Sequence, residues 1–179
     1  MSDRPDLRAI ADQWSGQLDD LDVMPFVVTA SIARMGILLE RAFVALAREH
    51  SLRPGDLRVL LALRRSGPGH ALSPATLFRT LMITSGAVSK QVDTLEAAGL
   101  VTRVADPDNL RGLLVRLEPE GRAIADATMQ RICTDFCGLE KLDGDRLSET
   151  LRVLSDLLAT VEGSFEGVEG EDRRRREHR

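Results

Sequence analysis

The feature that most constrains this chain is a change of hydrophobic period just after residue 99. Over 84–99 the apolar residues recur at helical spacing, whereas 100–105 and 113–118 are rich in branched residues that favour strands. A helix that runs directly into a β-hairpin therefore forms the centre of the predicted fold. The apolar positions that share one face of this helix are Val88, Val92 and Leu95.

The same helix carries its own start and stop signals. Thr84 or Ser85 can cap the free N–H groups of the first turn, and Gly99 suits the left-handed residue that often ends a helix. The opposite face is small and polar with a single cation, so it could lie in the groove of a partner. The residues of that face are Gly86, Ser89, Lys90, Asp93 and Thr94.

Two shorter helices precede it. The pattern predicts one helix over 56–65 and another over 73–81, in which Ser73 is the cap before a proline at the first helical position. After the central helix, 106–112 is dense in turn-forming residues and predicts an extended hairpin tip that carries Arg111. Helix, helix, short connection, helix and hairpin together predict a mainly α fold with a small β-hairpin wing, which is a winged helix-turn-helix.

Charge is unevenly distributed along the chain. The formal charge is −4, yet the predicted winged helix-turn-helix domain, 51–118, holds nine basic and six acidic residues and is +3. The rest of the chain therefore carries −7, so the central domain is net positive and the remainder net negative, as expected of a module that faces nucleic acid. Aromatic residues make up only 3% of the chain, which disfavours recognition by stacking on unpaired bases.

The segments on either side of this domain are predicted to be accessory helices. Residues 1–24 are acidic and predict a short amphipathic helix, in which Trp14 either anchors the helix on the body or lines a ligand pocket. The helix over 25–50 is apolar most of the way round, which favours a subunit interface. We expect 119–162 to supply further dimerisation helices and 163–179 to form a disordered basic tail.

These features predict that the central helix enters the major groove of double-stranded DNA, while the hairpin directs Arg111 to the adjacent minor groove. Lys90 supplies a charge for a phosphate or a guanine, although a solvated surface lysine is the alternative. Because this face has few long donors, we expect much of the affinity to come from phosphate contacts and DNA shape. The predicted DNA-contacting residues are Ser73, Thr84, Ser85, Gly86, Ser89, Lys90, Gln91, Thr94 and Arg111.

Five blocks of sequence occur in an informative order and spacing. They are Leu52-Arg-Pro-Gly-Asp-Leu-Arg-Val-Leu-Leu-Ala-Leu63, Leu72-Ser-Pro-Ala-Thr-Leu77, Val88-Ser-Lys-Gln-Val-Asp-Thr-Leu-Glu-Ala-Ala-Gly-Leu-Val-Thr-Arg103, Asp106-Pro-Asp-Asn-Leu-Arg111 and Leu117-Glu-Pro-Glu-Gly121. Over roughly 25–160 the chain thereby resembles the MarR family of bacterial transcription regulators. The most specific part is the run that leads from the central helix into the wing.

The resemblance implies a homodimer, built by the N- and C-terminal helices, that binds a pseudo-palindromic operator and usually acts as a repressor. It also implies that a small molecule, often phenolic or otherwise anionic, binds between the dimer helices and the DNA-binding lobe and lowers the affinity for DNA. Trp14, Arg34 and Arg58 are the candidate effector-pocket residues, although the arginines could equally form salt bridges. Neither a cofactor nor a metal ion is implied.

Two features depart from the family pattern. The wing usually carries Asp, Arg and Arg where this chain has Asn109, Leu110 and Arg111, so one cation is lost and minor-groove contact should be weaker. The acidic N-terminal helix with Trp14 resembles a subgroup that responds to urate, but that subgroup has an acidic ligand-binding residue where this chain has Arg58. Because the charge is reversed, urate is not the expected effector.

Other classes of function find less support. The sequence has no Gly-rich phosphate loop, nucleophile elbow or metal-binding motif, so an enzyme is not expected. A winged-helix adaptor that binds protein and not DNA is the alternative function. Cys133 and Cys137 lie four residues apart on one predicted helix and are expected to pack in the dimer core, although some relatives sense oxidants through cysteine. The polar N-terminus and the absence of a long apolar run predict a cytoplasmic protein without a membrane segment.

Overall fold

The computed structural model describes residues 7–15, 17–18 and 21–177, and within them the side chains of 9–14, 17–18, 21–109 and 112–165. The chain divides into two compact units, one ending at Cys137 and the other beginning at Gly138. The first unit contains α1 Leu7–Ser15, α2 Met24–Glu49, α3 Pro54–Arg65, β1 Ala71–Leu72, α4 Pro74–Leu81, α5 Ser85–Ala97, β2 Val101–Asp106, β3 Asn109–Leu117 and α6 Pro119–Thr134. The second contains a short 3-10 helix, Leu139–Lys141, and α7 Gly144–Glu177. The predicted fold class, mainly α with a small β-hairpin wing, is confirmed.

The boundary between the units falls after α6 and not at the predicted limits of the 51–118 domain. Both α2 and α6 pack on α3, because each brings small or apolar residues to it. Ala125 of α6 is fully buried in the main core, and Leu46 and Ala47 of α2 are buried beside Leu57. Parts of both flanking segments thus complete the core of the unit that holds the helix-turn-helix.

The two helices of the turn begin at the predicted hydroxyl caps. Ser73 Oγ accepts a hydrogen bond from the Thr76 N–H at 3.1 Å, and Thr84 Oγ1 accepts one from the Ala87 N–H at 3.2 Å. Of the two predicted caps of α5, the first is therefore the one used. Gly99 follows α5 at φ +72°, the left-handed conformation that was expected at this helix end.

The apolar back of α5 is buried as predicted. Val88, Val92 and Leu95 are at most 1% exposed, and they belong to one core cluster with Leu60 of α3 and Leu77 of α4. Full burial of one such side chain stabilises a fold by about 1.5–3 kcal/mol. Burial of this face fixes which face of α5 remains free to meet a partner.

α3 begins two residues before the predicted start at Asp56, because proline is well tolerated at the first helical position. Its N-cap residue, Arg53, forms no side-chain cap hydrogen bond. Instead, the buried carboxyl group of Asp56 is hydrogen-bonded to the backbone of Arg53. The hydrogen bond at the start of α3 is thus supplied by a side chain inside the helix and not by the side chain at the cap position.

The sheet has three strands, one more than the predicted hairpin. β3 lies between β1 and β2 and is antiparallel to both. The extra strand pairs Ala71 with Arg116 and Leu72 with Val115. Two residues are too few to show an alternating pattern, so only the pairing with β3 makes this segment a strand.

The extended hairpin tip predicted over 106–112 is wrong. The strands continue to a tight turn in which Asp106 pairs with Asn109. Asp106 Oδ1 accepts a hydrogen bond from the Asp108 N–H at 3.0 Å, a side-chain bond of the kind that closes short turns. The hairpin therefore ends in a compact tip.

The prediction of a disordered tail over 163–179 is also wrong for the part that the structure describes, because α7 continues to Glu177. The sequence places Glu169 four residues before Arg173, and Glu171 four residues before Arg175, a spacing that supports a helix. Residues 178–179 lie outside the described residues, as do 1–6 of the predicted N-terminal helix. None of the helices within the described chain is long and apolar enough to cross a membrane.

Candidate nucleic-acid interface

The exposed face of α5 lies opposite its buried apolar residues. A Cβ built on Gly86 would meet no atom within 4 Å, so the beginning of the helix is open to a partner. The face offers hydroxyl groups and one cation, Lys90, for which no ion pair occurs among the described residues. Six of the nine predicted DNA-contacting residues are exposed together here: Thr84, Ser85, Gly86, Ser89, Lys90 and Thr94.

Ser73 is already engaged within the fold. Its hydroxyl group accepts the Thr76 N–H and lies 3.0 Å from Thr76 Oγ1, and the residue is half-buried. Its observed role is to start α4. The DNA contact of Ser73 stays a prediction.

Gln91, a predicted DNA-contacting residue, does not lie on the exposed face of α5. The side chain is half-buried and packs against the start of α3, where a Cβ added to Gly55 would stand 2.2 Å from Gln91 Nε2. Gln91 Oε1 is buried and has no hydrogen-bond partner among the described residues. The spacing of residues along α5 could not reveal this contact, because Gly55, which makes room for the Gln91 amide, belongs to another helix.

Arg111 lies in β3, close to the hairpin turn. Its side chain and that of Leu110 lie outside the described side chains. The minor-groove contact of Arg111 therefore stays a prediction.

Arg103 is a functional candidate that the sequence reasoning missed. From β2 its guanidinium group binds Asp93 of α5 at 2.5 Å and also Glu96, and its backbone N–H donates to Glu96 Oε1 at 3.1 Å. The hydrogen bond with Asp93 is the main reason why the pKa of Arg103 is raised. The signal in the sequence was two acids three residues apart, followed by an arginine at the start of a strand.

The basic residues of the central segment fall into two groups. Arg58, Arg64, Arg103 and Arg116 each form an ion pair with a described carboxylate. Four others are exposed and have no ion pair among the described residues: Arg53, Arg65, Arg79 and Lys90. The ninth, Arg111, belongs to neither group because its side chain lies outside those described. Arg79, in the last turn of α4 just before the turn to α5, was not among the predicted contacts. Unpaired exposed cations are the groups available to phosphates.

A cavity of about 560 Å³ lies between α2, α3, α4 and α6. Arg58, a predicted effector-pocket residue, lines it and stacks over the Phe43 ring with its central carbon 4.7 Å from the ring centroid. The same guanidinium group forms an ion pair with Glu40. Arg58 therefore both lines the cavity and forms the salt bridge that was the alternative to a ligand-binding role. The cavity wall also includes Arg65 and, from α4, Leu81.

The three predicted effector-pocket residues do not share one cavity. Trp14 lines a separate apolar groove of about 260 Å³ at the junction of α1 and α2, where its ring meets that of Phe26 edge-on at 5.8 Å. Arg34 lies on α2 and lines neither of these cavities. The ring contact with Phe26 fits the anchoring interpretation of Trp14, the groove fits the pocket interpretation, and both stay predictions. The cavity beside Arg58 is the polar candidate for a ligand.

The two cysteines do not lie on one helical face. α6 ends at Thr134 because Asp135 leaves the helical conformation at φ −160°, and Cys137 follows at φ +62°. Cys133 and Cys137 are both free and exposed in the single chain. No group of three or more His, Cys, Asp or Glu side chains able to hold a metal ion occurs in the described part of the chain.

Comparison with known proteins gives consistent matches. A sequence model of the MarR family matches residues 50–121 of this chain. The chain is 30% identical over 121 residues to the HTH-type transcriptional regulator PecS of Dickeya dadantii, which covers 68% of this chain and 73% of PecS. It is 34% identical over 76 residues to the multiple antibiotic resistance protein MarR of Salmonella typhimurium, covering 42% of this chain and 51% of that protein. A cysteine-to-serine mutant of Escherichia coli MarR, solved in complex with operator DNA, shares the fold with a TM-score of 0.63 and 23% identity over 78% of this chain and 99% of that one.

Proposed function

The chain belongs to the MarR family of DNA-binding transcription regulators, and from this premise we propose that it is a homodimeric repressor released from its operator by a small anionic effector. The observation that carries the proposal is the exposed polar face of α5, held on a buried apolar back and followed directly by the β2–β3 hairpin. A helix presented in this way fits the major groove, and the hairpin fits beside it. We infer a regulatory role and not an enzymatic one.

Dimer formation is supported by two apolar helix surfaces, each considered by itself. On α2 the large exposed apolar residues are Met24, Phe26, Val28, Ile32, Met35, Ile37 and Leu38. On α7 they are Leu147, Leu151, Val153, Leu154, Leu158, Val161 and Phe165. Apolar surface of this extent is rarely left in water on a soluble chain, and a second copy is the partner that the pseudo-palindromic operator of the proposal requires.

Effector binding is proposed for the cavity between α2, α3, α4 and α6. Its wall combines an aromatic ring, Phe43, with Arg65, a cation that has no ion pair within the described part of the chain. This combination suits a small aromatic carboxylate. Leu81, at the end of α4, belongs to the same wall. A ligand seated there would contact the helix that immediately precedes α5, so binding can displace the DNA-contacting face.

The central test is a titration against the intergenic DNA upstream of the gene, at several salt concentrations, beside random DNA of equal length. A specific regulator binds the upstream fragment more tightly than random DNA, and its affinity falls steeply as salt rises. Equal binding to both fragments would overturn the proposal of specific operator binding. A reporter gene behind that fragment then tests repression directly, since a repressor lowers its expression.

A winged-helix adaptor that binds protein and not DNA is the second candidate. The observation that favours it is the modest charge of the central segment, +3 over 51–118, together with a single cation on the exposed face of α5. The two functions differ in their response to salt. An adaptor would show no DNA affinity with the steep salt dependence expected of phosphate contacts.

A further inference from the structure

A small cleft of about 220 Å³ lies between the start of α3 and α5, next to the exposed face of α5. Ala87, Lys90 and Thr94 of α5 form one wall, and Arg53 belongs to the other. Because Lys90 and Thr94 also belong to the exposed polar face, a DNA duplex lying on that face would bring one of its backbones alongside this cleft. The cleft is therefore part of the surface that meets DNA and not a cavity behind it.

Arg53 is an unfavourable residue for the position that it occupies. It is the N-cap of α3 and forms no side-chain cap hydrogen bond, whereas the caps of α4 and α5 are Ser73 and Thr84, which both do. Ser, Thr, Asp and Asn are the residues that stabilise helix starts, and a cation is disfavoured near the positive end of the helix dipole. A residue that opposes local stability in this way points to a role outside the helix.

The charge of Arg53 is not neutralised by a close contact. The side chain is exposed and has no ion pair among the described residues. The acid in the cleft is Asp56, which is 3% exposed and is satisfied by the backbone of Arg53. It also interacts with the charge of Arg53 over a longer distance. With Lys90 on the facing helix, the cleft still carries two cations against one buried carboxyl group.

The cleft is kept open by a glycine and a retracted glutamine. Gln91 lines it, but its amide packs down against Gly55, where a Cβ would stand only 2.2 Å away. The long side chain is therefore held between the helices and does not fill the space between Arg53 and Lys90. Arg53 and Lys90 therefore line one open cleft at the edge of the surface proposed to meet DNA, and cations at such an edge are the groups that contact the phosphate backbone.

We propose that Arg53 and Lys90 together bind one phosphate of the DNA backbone beside α5, which acts as the recognition helix. The contact is independent of base sequence and fixes how α5 is placed in the groove. It rests on the proposed DNA binding and adds Arg53, which lies in a different helix from the other predicted contacts. Each protomer of a dimer would make this contact once.

The test replaces Arg53 with a residue that improves the helix and removes the charge. Arg53→Ser supplies a capping hydroxyl, so the melting temperature should stay equal or rise while the affinity for operator falls roughly tenfold for a dimer with two such contacts. The slope of log affinity against log salt should become shallower, by at most about 0.9 for each shared phosphate, because Lys90 still reaches that phosphate. Operator and random DNA should lose affinity by the same factor, because the contact does not read bases.

Two further variants make the result decisive. Arg53→Lys keeps the charge and should restore most of the salt slope. Arg41→Gln, at an exposed arginine of α2 without an ion pair among the described residues, removes the same charge elsewhere and should leave the slope unchanged. The inference is overturned if Arg53→Ser keeps the wild-type slope, or if Arg41→Gln changes it equally. If wild type fails to prefer operator over random DNA, operator recognition fails, while the slope on random DNA still tests Arg53.

Discussion

Arg103 of β2 holds Asp93 and Glu96 of α5 with one guanidinium group, at 2.5 Å in the case of Asp93. The arrangement ties the second half of the recognition helix to the first strand of the wing. It also places a cation against Asp93, which is 63% exposed on the polar side of α5. We infer that Arg103 is a positioning residue that orients the wing and masks an acid on the face of α5 that is proposed to meet DNA.

We expect Arg103→Met to weaken operator binding several-fold and to lower the free energy of unfolding by about 1 kcal/mol, a small amount because the pair is partly exposed. The DNA affinity should fall by more than the small loss of stability explains, since Asp93 would then repel phosphates. Urea unfolding and DNA titration measure the two effects. Asp93→Asn in the Arg103→Met background should recover part of the DNA affinity but none of the stability. If the double variant binds DNA no better than Arg103→Met, Arg103 does not act by masking Asp93.

Gly55 and Gln91 form a second contact between helices. Because of this contact, the effect of Gly55→Ala on stability should change sign when Gln91 is removed. In wild type, Gly55→Ala should destabilise the fold by about 1 kcal/mol, because its Cβ would meet the Gln91 amide at 2.2 Å. In a Gln91→Ala background the same substitution should be neutral or stabilising, since alanine is a better helix residue than glycine. The measurement is a double-mutant cycle by urea unfolding. Equal effects of Gly55→Ala in both backgrounds would show that the two residues are not coupled.

The sequence predicted the elements of the interface better than the direction of its side chains. The caps at Ser73 and Thr84 and the buried face of α5 depend on local spacing, which a single helix determines. The position of Gln91 and the pairing of Arg103 depend on contacts between elements, which no local pattern contains. β1 escaped prediction for the same reason, because only β3 makes it a strand. The compact tip at Asp106 depended on one side-chain hydrogen bond.

The continuation of α7 to Glu177 was missed for a different reason. A low content of apolar residues after Gly163 predicts disorder when segments are judged by composition alone. A helix that is already formed can continue through such a segment, because each added residue contributes one hydrogen bond without a new nucleation cost. Charge spacing between acidic and basic residues was the signal that composition concealed.

Asp56 and Asp126 should give the stability of the protein opposite dependences on pH. Burial raises the pKa of Asp56, partly opposed by the hydrogen bond and the charge of Arg53. A raised pKa means that the folded state disfavours the charged carboxylate, so Asp56→Asn should stabilise the protein at pH 7. The advantage should shrink as the pH falls through that raised pKa and vanish below the ordinary pKa of aspartate.

Asp126 is the matched control for this prediction. The hydrogen bond from Arg64 lowers the pKa of Asp126, so the folded state favours its charged form. Asp126→Asn should therefore reduce stability at pH 7, and this deficit should disappear as the pH falls through the lowered pKa. Urea midpoints of both variants and wild type between pH 7 and about pH 2 make the comparison, because the effect of Asp126 is lost only below the ordinary pKa of aspartate. The assignment fails for Asp56 if its variant follows the trend expected of Asp126.

The arginine-lined cavity and the groove around Trp14 are two alternative effector sites, and variants of each can distinguish them. Benzoate, as a simple aromatic carboxylate, should bind wild type measurably by calorimetry and should bind Arg65→Gln more weakly, because Arg65 is the cation of the cavity without an ion pair among the described residues. Trp14→Phe should leave benzoate binding unchanged, since Trp14 lines a different site. The reverse pattern, with loss in Trp14→Phe alone, would move the effector site to the α1–α2 groove.

The dimer proposal depends on the apolar surface of α2, where Val28, Ile32 and Met35 follow one another at i, i+4 and i+7. Ile32 is 41% exposed in the single chain, so Ile32→Glu should not disturb the core. If α2 lies in the subunit interface, the buried charge should shift the population from dimer toward monomer and weaken operator binding, because two half-sites are no longer engaged together. Light scattering at several protein concentrations measures the shift. Leu113→Glu, at a 52% exposed position on β3, is the control and should stay dimeric. A monomeric wild type would refute the homodimer, whereas an unchanged Ile32→Glu dimer would place the interface on α7 or elsewhere.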